Sequence, residues 1–180
     1  MIRTRVGYAG GTRENPTYHR LGDHAETLQI DYDPARISYE KLLEIFWQEH
    51  DPAARAWSTQ YKAAVFHHDE AQKRLAFETR DRLAARLGKP IHTEIIPFDR
   101  FYPAEAYHQK YYLRGNKRLL KELQRHSPQE ADLMNSTAAA RVNGYAGRNG
   151  SAESLKAEID RYGLSAEGRN ELLRLVGVKH

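Results

Sequence analysis

The sequence predicts an α+β protein, on three observations. Segments with strand-like period two and segments with helical spacing alternate up to about residue 100, in the order strand, strand, helix, strand, helix, strand. Beyond that point only helical spacing remains. Hydrophobic residues make up 40% of the 180 and charged residues 29%, enough apolar surface to bury a core.

The elements follow in order. Ile2 to Tyr8 sets Ile2, Val6 and Tyr8 among arginines and reads as a strand. Gly10, Gly11, Asn15 and Pro16 break regularity and leave residues 9–24 as a loop. Ala25 to Tyr32 is a second strand. Glu26, Leu28, Ile30 and Tyr32 share the face a core would claim; Thr27, Gln29 and Asp31 share the other. Ser38 is a good N-cap for a helix through Tyr39, Leu42, Leu43 and Phe46, which His50-Asp51-Pro52 stops. A short connection leads to a third strand from Tyr61 to His67. Asp69-Glu70-Ala71-Gln72 forms a capping box, and its helix runs to Leu87 before Gly88 and Pro90. Ile91 to Ile96 is the fourth strand.

From residue 100 the chain reads as helical. Tyr107 and Tyr111, and His108 and Tyr112, lie one turn apart, and Leu119, Leu120 and Leu123 mark another helix. Ser127-Pro128-Gln129-Glu130 reads as a second capping box, with Pro128 at the first helical position. Glycines 144, 147 and 150 break the chain, and Ser151 and Ser165 cap two short helices. The expected organisation is an α+β domain over residues 1–127 and a helical C-terminal extension over 128–180.

Composition narrows the function. Acidic and basic residues are interspersed at a net charge of +4, whereas a nucleic-acid footprint needs basic residues on one face, so no nucleic-acid partner is expected. The basic, helical C-terminus leaves an interaction module open as an alternative. No stretch has the apolar length of a transmembrane helix, so a cytoplasmic protein without a membrane partner is expected. There is no cysteine, hence no disulfide, thiolate nucleophile or cysteine-based metal site. His67-His68-Asp69 is the densest metal-type group, but adjacent strand residues point to opposite faces. No metal and no cofactor are expected, and phosphate-loop, dinucleotide and nucleophile-elbow glycine patterns are missing.

Glu26 is the most informative carboxylate. At the rim of an apolar strand face a carboxyl is desolvated, which raises its pKa and lets it act as an acid. Spacing alone favours a strand-end glutamate that reaches solvent, because structural carboxylates outnumber catalytic ones. Tyr18 on the glycine-rich loop and Tyr61 at the start of the third strand carry hydroxyls able to hold a substrate oxygen. A buried tyrosine is more often core.

Taken together, these residues resemble methionine sulfoxide reductase A. The matching segments include Arg5-Val6-Gly7-Tyr8-Ala9-Gly10-Gly11, Asn15-Pro16-Thr17-Tyr18, Gly22-Asp23-His24-Ala25-Glu26, Tyr32-Asp33-Pro34, Phe46-Trp47, His50-Asp51-Pro52, Thr59-Gln60-Tyr61 and Phe101-Tyr102-Pro103-Ala104-Glu105. They occur in the family's order across roughly residues 2–113, and the ordered set is specific where single segments are not. The resemblance implies reduction of the S-epimer of methionine sulfoxide in peptides and proteins. In that chemistry a cysteine thiolate attacks the sulfoxide sulfur, a carboxylic acid protonates the oxygen, and two tyrosine hydroxyls assist. By resemblance Glu26 is the acid, and Tyr18 and Tyr61 are the hydroxyl donors.

The sequence also departs from the family. The resemblance places the Gly-Cys-Phe-Trp motif upstream of the first strand, outside this chain. The loop from Ala53 to Ser58 is shorter than the family's and lacks its assisting aspartate. The expected fold is therefore a ferredoxin-like reductase core without its first strand and helix, the missing strand falling between those of Glu26 and Val65. Two accounts stay open: a natural start upstream of Met1, or a descendant that binds methionine sulfoxide or methionine peptides without reducing them. Thioredoxin is an expected partner only if a thiol lies upstream of Met1. The 180 residues alone are expected to be inactive.

Overall fold

A computed structural model describes residues 1–177. Its secondary structure begins with β1 (Arg3–Ala9) and β2 (Ala25–Asp31), followed by α1 (Tyr39–Gln48). Ser38 Oγ accepts from the Lys41 amide, as its sequence position leads one to expect. After β3 (Ala64–His67) comes α2 (Glu70–Leu87), with Asp69 as N-cap and Gly88 in the left-handed region at its C-terminus. The capping box is offset by one residue: Gln72 Oε1 accepts from His68 N–H rather than from Asp69. β4 (Glu94–Pro97) runs parallel to β3, with Val65 opposite Ile95.

A fifth strand, β5 (Phe101–Pro103), pairs antiparallel with β1, where the sequence reading had only helix. Three residues ending in proline carry too little alternation to be read as a strand. The pairing depends on Gly7, because a Cβ there would lie 2.2 Å from the Tyr102 carbonyl oxygen. The helices that follow are α3 (Tyr111–Arg114), α4 (Lys117–Gln124), α5 (Glu130–Asn135), α6 (Thr137–Ala146), α7 (Ala152–Glu158) and α8 (Ala166–Leu175). Ser151 and Ser165 cap α7 and α8 as expected. Ser127 caps nothing: α5 starts after Gln129, and no side chain caps it. Asn116 and Ser136 supply caps that spacing did not mark.

The strands form two sheets, one in the order β2-β1-β5 and one pairing β3 with β4. Among the described residues β2 and β5 are the edges of the first sheet, and β3 and β4 those of the second. The chain divides into two compact units, and the division passes through β1 and β2.

One unit comprises Val6–Leu28 and Tyr32–Ala104. In it α1 and α2 cover β3 and β4 around Leu43, Trp47, Val65, Ala76 and Leu83. Fully burying one such large side chain contributes about 1.5–3 kcal/mol. Trp47 Nε1–H donates to Thr79 Oγ1 at 3.0 Å, so the indole is buried with its donor satisfied. A smaller cluster of Tyr8, Leu21 and Ala104 packs with Val6, Tyr18 and Tyr102.

The other unit comprises Met1–Arg5, Gln29–Asp31 and Glu105–His180. Its core gathers Leu113, Leu119, Leu133, Val142, Leu155 and Leu172. Lys110 is buried beside it, and its Nζ donates to the carbonyls of Thr4 at 2.6 Å and Met134 at 2.8 Å. Burial, reinforced by the charges of Arg5 and Arg114, pulls its pKa down to about 8. Glu122, also buried, accepts from the backbone N–H and the hydroxyl of Ser165 at the start of α8.

Candidate functional site

The loop between β1 and β2 is built to hold its shape. The Asp23 carboxylate accepts from the Thr12 amide at 2.9 Å, from the Thr12 hydroxyl at 3.0 Å and from the Arg13 amide at 3.3 Å. These bonds, the Thr12 amide foremost, hold the Asp23 pKa down at about 2. His24, only 1% exposed, closes the same loop. Its Nδ1 faces the Gly11 amide at 3.1 Å and its Nε2 faces the Arg13 carbonyl at 2.7 Å. An amide can only donate and a carbonyl only accept, so Nε2 carries the proton and Nδ1 the lone pair. Gly11 is required here, since a Cβ would lie 2.5 Å from the His24 backbone nitrogen.

This loop carries Tyr18, anchored by packing against the Tyr8 cluster. Directly after His24, β2 begins, and its second residue is Glu26. The 3₁₀ turn Thr59–Tyr61 follows the 53–58 connection and supplies the remaining groups. Gln60 Nε2 donates to Glu26 Oε1 at 2.5 Å. The Tyr61 hydroxyl is hydrogen-bonded with that of Tyr18. That bond is the largest cause of a Tyr61 pKa above the ordinary phenol value, and the Glu26 charge adds to it. Glu26, Tyr18 and Tyr61, distant in sequence, therefore lie together.

Two expectations are corrected. Glu26 lies on the exposed face of β2: Leu28 is 56% exposed and Ala25 is the buried neighbour. Alternation separates two faces without saying which is covered, and β2 is an edge strand. Tyr61 lies on a 3₁₀ turn rather than at a strand start, and is 45% exposed. β3 begins three residues later.

Two neighbours escaped the sequence reading. Gln60 was visible only as part of a motif, and nothing in its spacing connects it with Glu26, 34 residues away. Trp57 lies on the short connection with its ring centroid 4.9 Å from that of Tyr61. Chemically, a carboxyl beside two phenolic hydroxyls can hold an oxygen and hand it a proton. Among the described residues no group of three His, Asp or Glu side chains is placed to hold a metal ion. His67 is buried and the adjacent His68 exposed. No described helix is long and apolar enough to cross a membrane.

The family described as peptide methionine sulfoxide reductase matches residues 1–141, and that described as the helical domain of selenoprotein methionine sulfoxide reductase A matches residues 129–172. A peptide methionine sulfoxide reductase of Drosophila melanogaster is 43% identical over 175 residues, covering 94% of this chain and 68% of that protein. Peptide methionine sulfoxide reductase A5 of Oryza sativa subsp. japonica is 42% identical over 152 residues, covering 81% of this chain and 59% of its own length. The chain thus spans only part of the length of these curated relatives. Among solved structures, reduced Mxr1 of Saccharomyces cerevisiae superposes with a TM-score of 0.58 at 32% identity, over 63% of this chain and 70% of that one. Methionine sulfoxide reductase A of Corynebacterium diphtheriae superposes with a TM-score of 0.53 at 29% identity, over 64% of each chain. The α+β fold is shared with these solved structures, and the helical C-terminal region falls in the segment matched by the helical-domain family.

Proposed function

We propose, since this chain belongs to the peptide methionine sulfoxide reductase family, that Glu26, Tyr18 and Tyr61 receive the oxygen of methionine-S-sulfoxide in peptides and proteins. The observation that carries the reading is the convergence of the Glu26 carboxyl, held by Gln60, with the paired hydroxyls of Tyr18 and Tyr61. Sulfoxide oxygen is a strong hydrogen-bond acceptor, and two hydroxyls and a carboxylic acid suit it as donors. In the reaction a thiolate sulfur attacks the sulfoxide sulfur. Glu26 gives its proton to the oxygen, which passes to the attacking sulfur as a sulfenic acid, and the thioether departs. Two electrons go from the thiolate to the sulfoxide.

The 180 residues contain no thiol, so this chain supplies the oxygen-binding half of the site and the attacking sulfur must come from elsewhere. A thioredoxin-like reductant enters only after such a thiol has been oxidised. By itself the chain binds methionine sulfoxide without turning it over.

Calorimetry with N-acetylmethionine-S-sulfoxide methylamide tests the reading. Binding by the wild type, at least about tenfold weaker in Glu26→Gln, is expected, since a hydrogen bond to a charged or acidic group contributes about 1.5–3 kcal/mol. Absence of binding by both forms removes the proposal. Sustained turnover with dithiothreitol overturns its second part.

A further inference from the structure

The chain contains two Asn-Gly steps, Asn143-Gly144 and Asn149-Gly150, and the fold treats them differently. Asparagine amides are chemically labile, most of all before glycine, which has no side chain to keep its nitrogen from the asparagine side-chain carbon. Asn143 and Gly144 lie inside α6, where the helical ladder holds the backbone. Asn143 Oδ1 also accepts from Leu113 N–H at 3.1 Å, which fixes the side chain. Asn149 and Gly150 lie beyond the helix, and both are exposed. Their backbone is set by the C-terminal cap of α6. Asn149 N–H donates to the Gly144 carbonyl and Arg148 N–H to the Tyr145 carbonyl, both at 2.9 Å. Position 150 requires glycine: its φ is 121°, and a Cβ there would lie 2.6 Å from the Tyr145 ring. No described group accepts from Gly150 N–H. The Asn149 amide is held only by a long bond, from Nδ2 to the Gly147 carbonyl at 3.3 Å. Nitrogen and amide are therefore both open to reaction at this step.

We infer that Asn149 is a modification site of this chain, at which the side-chain amide is lost spontaneously through a ring closed with Gly150. A base from solvent takes the Gly150 N–H proton, and the nitrogen bonds to Cγ of Asn149. The Cγ–Nδ2 bond breaks and ammonia leaves with a proton from water, which gives a succinimide. Water then opens the ring. Opening at the side-chain carbonyl leaves aspartate, and opening at the main-chain carbonyl leaves isoaspartate. Nothing is oxidised or reduced. Either product removes the donor to the Gly147 carbonyl and adds a negative charge at the C-terminal end of α6, where the helix disfavours it. Isoaspartate also inserts a methylene into the main chain ahead of Gly150. Gly150 then loses its place against Tyr145, a buried residue whose hydroxyl donates to Glu158 at 2.6 Å. The inference is independent of the oxygen-site reading.

Mass spectrometry of tryptic peptides tests this on the 180-residue chain after incubation at physiological temperature in neutral buffer. Trypsin cuts after Arg141, Arg148 and Lys156, so the two steps fall in separate peptides, 142–148 and 149–156. In the folded chain Asn149 is expected to convert at least about tenfold faster than Asn143, and in urea the two rates are expected to come within about threefold, because folding protects only the helical step. An isoaspartyl-specific methyltransferase with labelled S-adenosylmethionine is expected to mark the second peptide and not the first. Asn149→Gln, whose side chain would have to close a larger ring, is expected to slow amide loss at this position at least about tenfold. The isoaspartyl form, separated by ion exchange, is expected to melt about 2–4 °C below the unmodified chain. Equal rates at Asn143 and Asn149 in the folded chain overturn the inference. So does an Asn149 that keeps its amide when folded and loses it in urea. An isoaspartyl form that melts with the unmodified chain overturns the consequence drawn for Gly150 and Tyr145.

Discussion

The side-chain amide of Gln60 donates to Oε1 of Glu26 at 2.5 Å, joining a 3₁₀ turn to the start of an edge strand. The bond engages Oε1 and fixes the orientation of the carboxyl group. Gln60→Leu keeps the bulk and removes the donor, so the carboxyl loses its orientation. Binding of N-acetylmethionine-S-sulfoxide methylamide is expected to weaken about threefold to tenfold, the equivalent of one hydrogen bond. Calorimetry reads it, and a melting temperature within a degree or two of wild type is expected alongside, because the pair is exposed.

Asp23 holds the loop that carries Tyr18, and it does so as a carboxylate. Its pKa in the folded protein, about 2, lies below the ordinary 3.8. The stabilisation it provides is therefore fully present above about pH 4 and is lost as the pH falls through about 2. The amide resonances of Thr12 and Arg13, followed by NMR in acid, are expected to titrate together with a midpoint near 2. Asp23→Ala is expected to broaden those resonances at neutral pH and to weaken sulfoxide binding through Tyr18.

Thr79 satisfies the buried indole N–H of Trp47. Thr79→Val preserves shape but leaves that donor unpaired, at an expected cost of about 1–3 kcal/mol. Thr79→Ser retains the acceptor and is expected to lose less. Urea unfolding of the three proteins under identical conditions checks the order.

Lys110 makes a pH prediction of the same sign in an alkaline window. Its folded pKa of about 8 lies below its ordinary 10.5, so between those values the unfolded chain binds more protons than the folded one. Stability is expected to rise with pH across that window as the penalty for burying the charge is relieved. The neutral amine still has two N–H bonds for the carbonyls of Thr4 and Met134. Lys110→Met removes both donors, with an expected loss of about 1–3 kcal/mol at pH 7, and abolishes the rise between pH 8 and 10.5. Denaturant unfolding at pH 7, 9 and 10.5 measures both effects.

Local interactions were legible in the sequence. Ser38, Asp69, Gly88, Ser151 and Ser165 end helices through contacts within a few residues, so reading neighbours suffices to place them. The ordered motifs marked Tyr18, Glu26 and Tyr61 for the same reason: each is recognised by the residues beside it. What spans the chain was not legible. The β1–β5 pairing joins residues about 95 apart, and three residues hold too little pattern to announce it. Strand alternation divided β2 into two faces, but only the packing of other segments decides which is buried, and Glu26 is on the exposed one. Gln60 meets Glu26, and Trp57 lies open beside Tyr61, because a turn and a strand distant in sequence are folded together. The sequence by itself thus determined the family, the helix ends at those five residues and the absence of a thiol among the 180 residues. Only the tertiary structure decided how the Glu26 carboxyl is oriented and what surrounds it, since hydrogen-bond geometry and burial depend on distances in space rather than along the chain.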